Sequence, residues 1–136
     1  MGSVRVGSEQ LEWMPGAPIF GAGATQNGHE LVRIKVLSDR RSEGGGVAYL
    51  FKFSPPPGKV IKIIANARSD EHAFTLAGGR STKTGQPLRA PIDYVLNTTG
   101  QPHSAFIAEE TTAFVVYTGE PDEVTAIELV DSEAAG

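Results

Sequence analysis

Apolar and polar residues alternate with a period of two over much of this chain, and helical periodicity is hard to find. Over residues 31–37, Val32, Ile34 and Val36 fall on one face and Arg33 and Lys35 on the other, which predicts a strand with one buried side. A glycine turn, Gly44-Gly45-Gly46, precedes a second alternating run that puts Val47, Tyr49, Phe51 and Phe53 on one side. Ser54-Pro55-Pro56-Pro57-Gly58 then breaks the ladder, because proline has no N–H to donate. Further strands are predicted over residues 59–65, 71–77, 94–96, 103–108 and 113–117, each bounded by turn residues. Residues 124–130 read as a strand or a short helix, and Leu11-Glu12-Trp13 as an edge strand. Residues 16–28 read as loop.

The 16 glycines and 9 prolines are spread along the chain, which suits an all-β sandwich or barrel. At 136 residues the chain fits a single domain spanning 1–136. Its core is expected at about 31–130, with an N-terminal arm and loop over 1–30 and a frayed tail over 132–136. A chain this long buries roughly two thirds of its unfolded surface, enough for one core.

Charge and composition then exclude several classes. Twelve basic residues stand against 16 acidic ones, for a net charge of −4, and no basic cluster is evident. Nucleic acid and anionic membranes are therefore not expected partners. The chain has no cysteine, so thiol nucleophiles, thiolate ligands and disulfides are ruled out, which fits a cytoplasmic location. Met1-Gly2-Ser3-Val4-Arg5 does not resemble a signal peptide. The apolar runs fall far short of the ~20 residues a membrane helix needs. Gly21-Ala22-Gly23 does not link a strand to a helix, so no dinucleotide loop is read there. No Gly-x-Ser-x-Gly elbow supports a hydrolase.

One spacing carries more information. The chain reads Gly58-x5-Ile64-x-Asn66-x4-Glu71-x6-Gly78 and, later, Gly100-x2-His103. With Pro56-Pro57-Gly58 before it and Phe114 to Gly119 after it, this resembles the two motifs of the cupin superfamily. The layout is similar to small single-domain cupins of the acetylacetone-cleaving dioxygenase type. The resemblance implies a cupin jelly-roll barrel, or double-stranded β-helix, holding a metal on two histidines, a glutamate and a third histidine. Here Glu71 and His103 stand at their places, while Ile64 and Asn66 replace the first two histidines.

What the resemblance implies for the site follows from those departures. Glu71 and His103 would be metal ligands, with Asn66 or His72 as a doubtful third. The pocket would be lined by Lys62, Ile64, Asn66, Glu71, His103 and Phe114, with His103 as the catalytic candidate. Glu71 and its neighbour His72 cannot both face inward on a regular strand, and Glu71 is the expected inward one. Lys62 would share the face of Ile64 and Asn66 and could pair with Glu71. His29 reads as an exposed turn residue, and residues 80–83 as a polar hairpin.

The function expected first is binding of a small organic molecule in a barrel with a degenerate metal site, more a binding protein than an enzyme. The alternatives are a dioxygenase-like metal enzyme using Glu71 and His103, and a metal-free isomerase or lyase with His103 as base. A divalent metal and a metal-free centre both remain open as the cofactor state. The expected partners are a small ligand and a second copy of the chain, with Trp13 able to swap onto a neighbour's sheet.

Overall fold

A computed structural model describes residues 2–134. Eleven strands form in chain order: β1 (Met14–Pro15), β2 (Thr25–Gln26), β3 (His29–Glu30), β4 (Val32–Asp39), β5 (Val47–Phe53), β6 (Lys59–Asn66), β7 (Glu71–Ala77), β8 (Tyr94–Asn97), β9 (Pro102–Ile107), β10 (Thr111–Tyr117) and β11 (Glu123–Asp131). A short helix, α1 (Ala17–Phe20), follows β1. One sheet has the order β1-β4-β5-β10-β7-β8 and faces a second of order β11-β6-β9, while β2 and β3 form a small hairpin. Every named strand pair is antiparallel. This is the all-β jelly roll that the sequence predicts. Among the described residues, no helix is long and apolar enough to cross a membrane.

The inner faces of the two sheets supply the core. β5 buries Val47, Tyr49, Phe51 and Phe53, as its alternation requires. Phe51 packs edge-on to Phe20 at 5.3 Å and stacks with Tyr49 at 5.2 Å between ring centroids. Phe20 comes from α1, in the segment read as loop, where Pro18 lies in the first turn and suits a helix start. Across the barrel, β6 contributes Ile61, Ile63 and Ala65.

Several expectations shift. Val36 is exposed rather than buried, because the β4–β5 register slips between Val36 and Ser38. Lys35 is buried instead: its Nζ donates to the Ser8 carbonyl at 2.8 Å and sits 4.6 Å from the Trp13 ring centroid. Trp13 thus packs on its own chain, also under Lys52, and the edge strand is Met14–Pro15 rather than Leu11 to Trp13. Residues 123–131 are strand, not helix. The segment expected as a frayed tail is tied at its start, where Ser132 N donates to Gly58 O and Glu133 N to Thr84 O. Residues 135 and 136 lie outside the described residues.

Gly78 ends β7 with φ at +75°, a conformation that favours glycine, and a Cβ there would collide with the Glu110 carbonyl. The turn sends the chain towards β9, where Ser81 N donates to Phe106 O at 2.8 Å. Arg80 is thereby set on the open side of the barrel, between the two sheets.

Candidate metal centre

Three side chains from three places in the sequence converge at one end of the barrel. Glu71 opens β7, His103 lies near the start of β9, and Asp122 ends the connection from β10 to β11. One ligand atom from each lies within 4.8 Å of the others. His103 Nε2 is 2.8 Å from Asp122 Oδ2 and 3.9 Å from Glu71 Oε1. Asp122 is 4 % exposed and Glu71 7 %. Two carboxylates so deeply placed require compensation.

Neighbouring groups hold each member in position. Asn97, facing Glu71 across the β7–β8 ladder, donates from Nδ2 to Glu71 Oε1 at 2.8 Å. Arg68 Nε donates to the Pro121 carbonyl at 2.7 Å, and Ser69 Oγ to the Glu120 carbonyl at 2.8 Å, which fixes the turn before Asp122. His103 Nε2 lies 2.8 Å from Asp122 Oδ2 as an ion pair, while the other carboxylate oxygen, Asp122 Oδ1, is buried without a hydrogen-bond partner. A buried carboxylate oxygen without a partner is uncommon and has capacity left to accept a ligand.

The electrostatics follow from burial and crowding. Burial raises the Glu71 carboxyl above its ordinary range, and Asp122 raises it further, against the pull of Asn97 and His103. Contact with Asp122 raises the His103 imidazole in spite of its burial. Burial, reinforced by the negative charges of Glu71 and Asp122, pushes the Tyr117 hydroxyl well above its usual value, so it stays protonated. Burial lowers the Arg80 guanidinium, and Glu71 opposes that.

The donor set, one imidazole nitrogen and two carboxylates, fits a divalent cation. The cavity beside them encloses about 60 Å³. Phe20, Phe51, Ile63 and Val115 form its apolar walls, with Tyr117 and Arg80 adding polar groups.

Of the residues singled out in the sequence, Glu71 and His103 meet in this cavity. Lys62, Ile64, Asn66 and Phe114 do not line it. β6 is turned so that Ile61, Ile63 and Ala65 face inward, and Lys62, Ile64 and Asn66 face out. Lys62 lies opposite Phe106 and Glu128 in the ladders and does not pair with Glu71; the cation that bears on Glu71 is Arg80. The inward pair at the first motif is therefore Ala65 and Ala67, both buried and neither able to bind a metal. Phe114 is exposed on the outer face of β10. His72 also faces outward, with Nδ1 2.7 Å from the Tyr94 hydroxyl. His29 is exposed, with Nε2 2.9 Å from the Ser54 carbonyl.

Asp122 was not singled out in the sequence. It lies in Glu120-Pro121-Asp122-Glu123, which reads as a solvated acidic turn. Its one signal is its place directly before the last apolar strand.

No protein-family model matches the chain, and no curated sequence matches it significantly. Solved structures do. An RmlC-like cupin protein from Ralstonia eutropha JMP134 superposes with a TM-score of 0.60 at 18% identity, covering 95% of this chain and 80% of that one. The chain has the cupin fold. The polyketide cyclase RemF from Streptomyces resistomycificus matches with a TM-score of 0.59 at 14% identity, over 99% of this chain and 88% of that one. KdgF from a Halomonas species matches at 0.53 and 14% identity, over 88% and 96%. In this cupin-fold chain Glu71 and His103 both face the barrel cavity, and Ala65 lies opposite His103 in the β6–β9 ladder.

Proposed function

We propose that this cupin-fold protein binds a divalent metal ion on Glu71, His103 and Asp122 and takes a small organic molecule into the barrel beside it. The observation that carries this reading is the convergence of one imidazole nitrogen and two buried carboxylates, with Asp122 Oδ1 left without a hydrogen-bond partner. An oxygen-rich set with a single imidazole suits Mn²⁺ better than the two-histidine, one-carboxylate set of Fe²⁺ oxygenases. A bound ion would act as a Lewis acid towards a ligand oxygen. Around it, Asn97 holds Glu71 in place, the phenylalanines exclude water, and the protonated Tyr117 hydroxyl offers a hydrogen-bond donor. That the fold houses a polyketide cyclase supports a small organic ligand.

Metal analysis by mass spectrometry, on untagged protein purified without chelator, tests the reading. About one ion per chain is expected, lost in His103→Ala and Asp122→Ala. A folded protein that holds no metal, even after loading with Mn²⁺ or Zn²⁺, overturns it. That result would leave His103 and Asp122 as a metal-free pair, a second reading favoured by their 2.8 Å contact.

We propose, separately, that the protein is a cytoplasmic homodimer. Phe74, Leu76, Tyr94, Leu96 and Phe114 are exposed, and the β7–β8 and β10–β7 registers set Phe74 beside both Tyr94 and Phe114. A contiguous apolar face of this kind supports burial against a second copy.

A further inference from the structure

The connection from β7 to β8 leaves an open groove of about 600 Å³ outside the barrel. Leu76, Leu88, Pro91 and Ile92 give it apolar walls, and Asp93 and Glu109 give it negative charge. Arg80 lines both this groove and the barrel cavity. No other lysine or arginine among the described residues lines either space. Its guanidinium makes no hydrogen bond or ion pair among the described residues, although the side chain is half-buried. Its five donors are thus held at the junction of two cavities without a protein acceptor among the described residues.

We propose that Arg80 is the anchor of a carboxylate subsite, so that the ligand is an organic monoacid whose carboxylate sits on Arg80 and whose apolar body lies along Leu76, Leu88 and Ile92.

The charge balance supports an anion there, and this step rests on the metal reading above. A divalent ion on Glu71, Asp122 and His103 cancels the two carboxylates and leaves Arg80 in excess. A planar guanidinium receives a carboxylate through two parallel hydrogen bonds, which fixes the orientation as well as the position of the ligand. Asp93 and Glu109 disfavour the acid group elsewhere in the groove, which directs it inward to Arg80.

Calorimetric titration of the metal-loaded protein with benzoate and hexanoate, and with benzamide and hexanamide, tests the subsite. The acids are expected to bind and the amides are not. Arg80→Gln should weaken the acids by roughly tenfold or more, and Arg80→Lys should recover part of the loss. Metal content and melting temperature, measured in parallel, should stay at the wild-type level in both variants. Equal affinity for acid and amide, unchanged binding in Arg80→Gln, or no acid binding to the wild type would overturn the proposal. The two readings separate cleanly. Arg80-dependent acid binding in a protein that takes up no metal upholds the subsite and removes the metal. Metal uptake without Arg80-dependent binding does the reverse.

Discussion

Ala65 on β6 lies directly opposite His103 on β9 in the antiparallel ladder. Both face the barrel interior, so the methyl group of Ala65 stands where a second imidazole would meet the first. Ala65→His should therefore add a ligand and tighten Zn²⁺ binding by about tenfold or more, equivalent to about 1.4 kcal/mol. Crowding of the packed wall should lower stability by about 1–3 kcal/mol. Asn66→His, one residue on and facing outward, should change neither quantity. Competition titration with a zinc chelator distinguishes the two variants, and an effect confined to Asn66→His would show that β6 has the opposite face inward.

The metal reading predicts an unequal response to carboxylate removal. Asp122→Asn and Glu71→Gln should each lose metal under conditions that saturate the wild type, while Lys62→Ala and His72→Ala should retain it. Without metal, Asp122→Asn loses the ion pair with His103 but relieves the repulsion on Glu71, so its net effect on stability should be smaller than that of breaking an isolated buried pair. Thermal melts with and without Mn²⁺ check both statements. The ion should raise the melting temperature of the wild type and leave that of Asp122→Asn unchanged.

How much of this was legible beforehand depended on the strand. In β5 the inward residues are aromatic or branched and the outward ones include Lys52, so the period of two identified the buried face. In β6 the run Val60-Ile61-Lys62-Ile63-Ile64-Ala65 is apolar on both faces, and a slip of one residue reverses every side chain. The motif spacing placed Ile64 and Asn66 in the cavity, and the strand's own pattern could not correct it; Ile63 and Ala65 face inward instead. Glu71 and His103 were found through spacing. Asp122 and Arg80 reach the same cavity from a turn and from the far side of a glycine corner, and no periodicity governs such segments.

The outer apolar face predicts a dimer that single charges will break. Phe74→Lys and Phe114→Glu should each shift the mass seen by light scattering from two chains to one at micromolar concentration. Metal content should persist, since neither side chain touches the cavity. A wild-type protein that scatters as a monomer at that concentration removes the dimer.

Strong acid should weaken the turn between β4 and β5. Arg41 binds both carboxylate oxygens of Asp39, at 2.9 and 2.6 Å, and reaches Glu120 at 3.1 Å. The hydrogen bonds from Arg41 hold the Asp39 carboxyl down, from 3.8 to about 2. A depressed carboxylate contributes stability above its unfolded value, and that contribution fades as pH falls from about 3.8 through about 2. The pair is partly exposed, so the effect should stay below about 1 kcal/mol. Asp39→Asn should flatten the stability profile in that window alone; an unchanged profile would show that the pair adds nothing.

The two spaces that meet at Arg80 differ in size by an order of magnitude, about 60 Å³ inside and about 600 Å³ outside. Inside, Phe20, Phe51 and Phe53 fix the wall, whereas the outer groove is open and shaped largely by a connecting loop. Discrimination among ligands should be divided in the same way. Binding should be strict about the few atoms that enter the barrel and permissive of what trails behind them, so a series differing only in tail length should tighten gradually as the tail covers the outer groove, while one extra methyl at the head should weaken binding sharply.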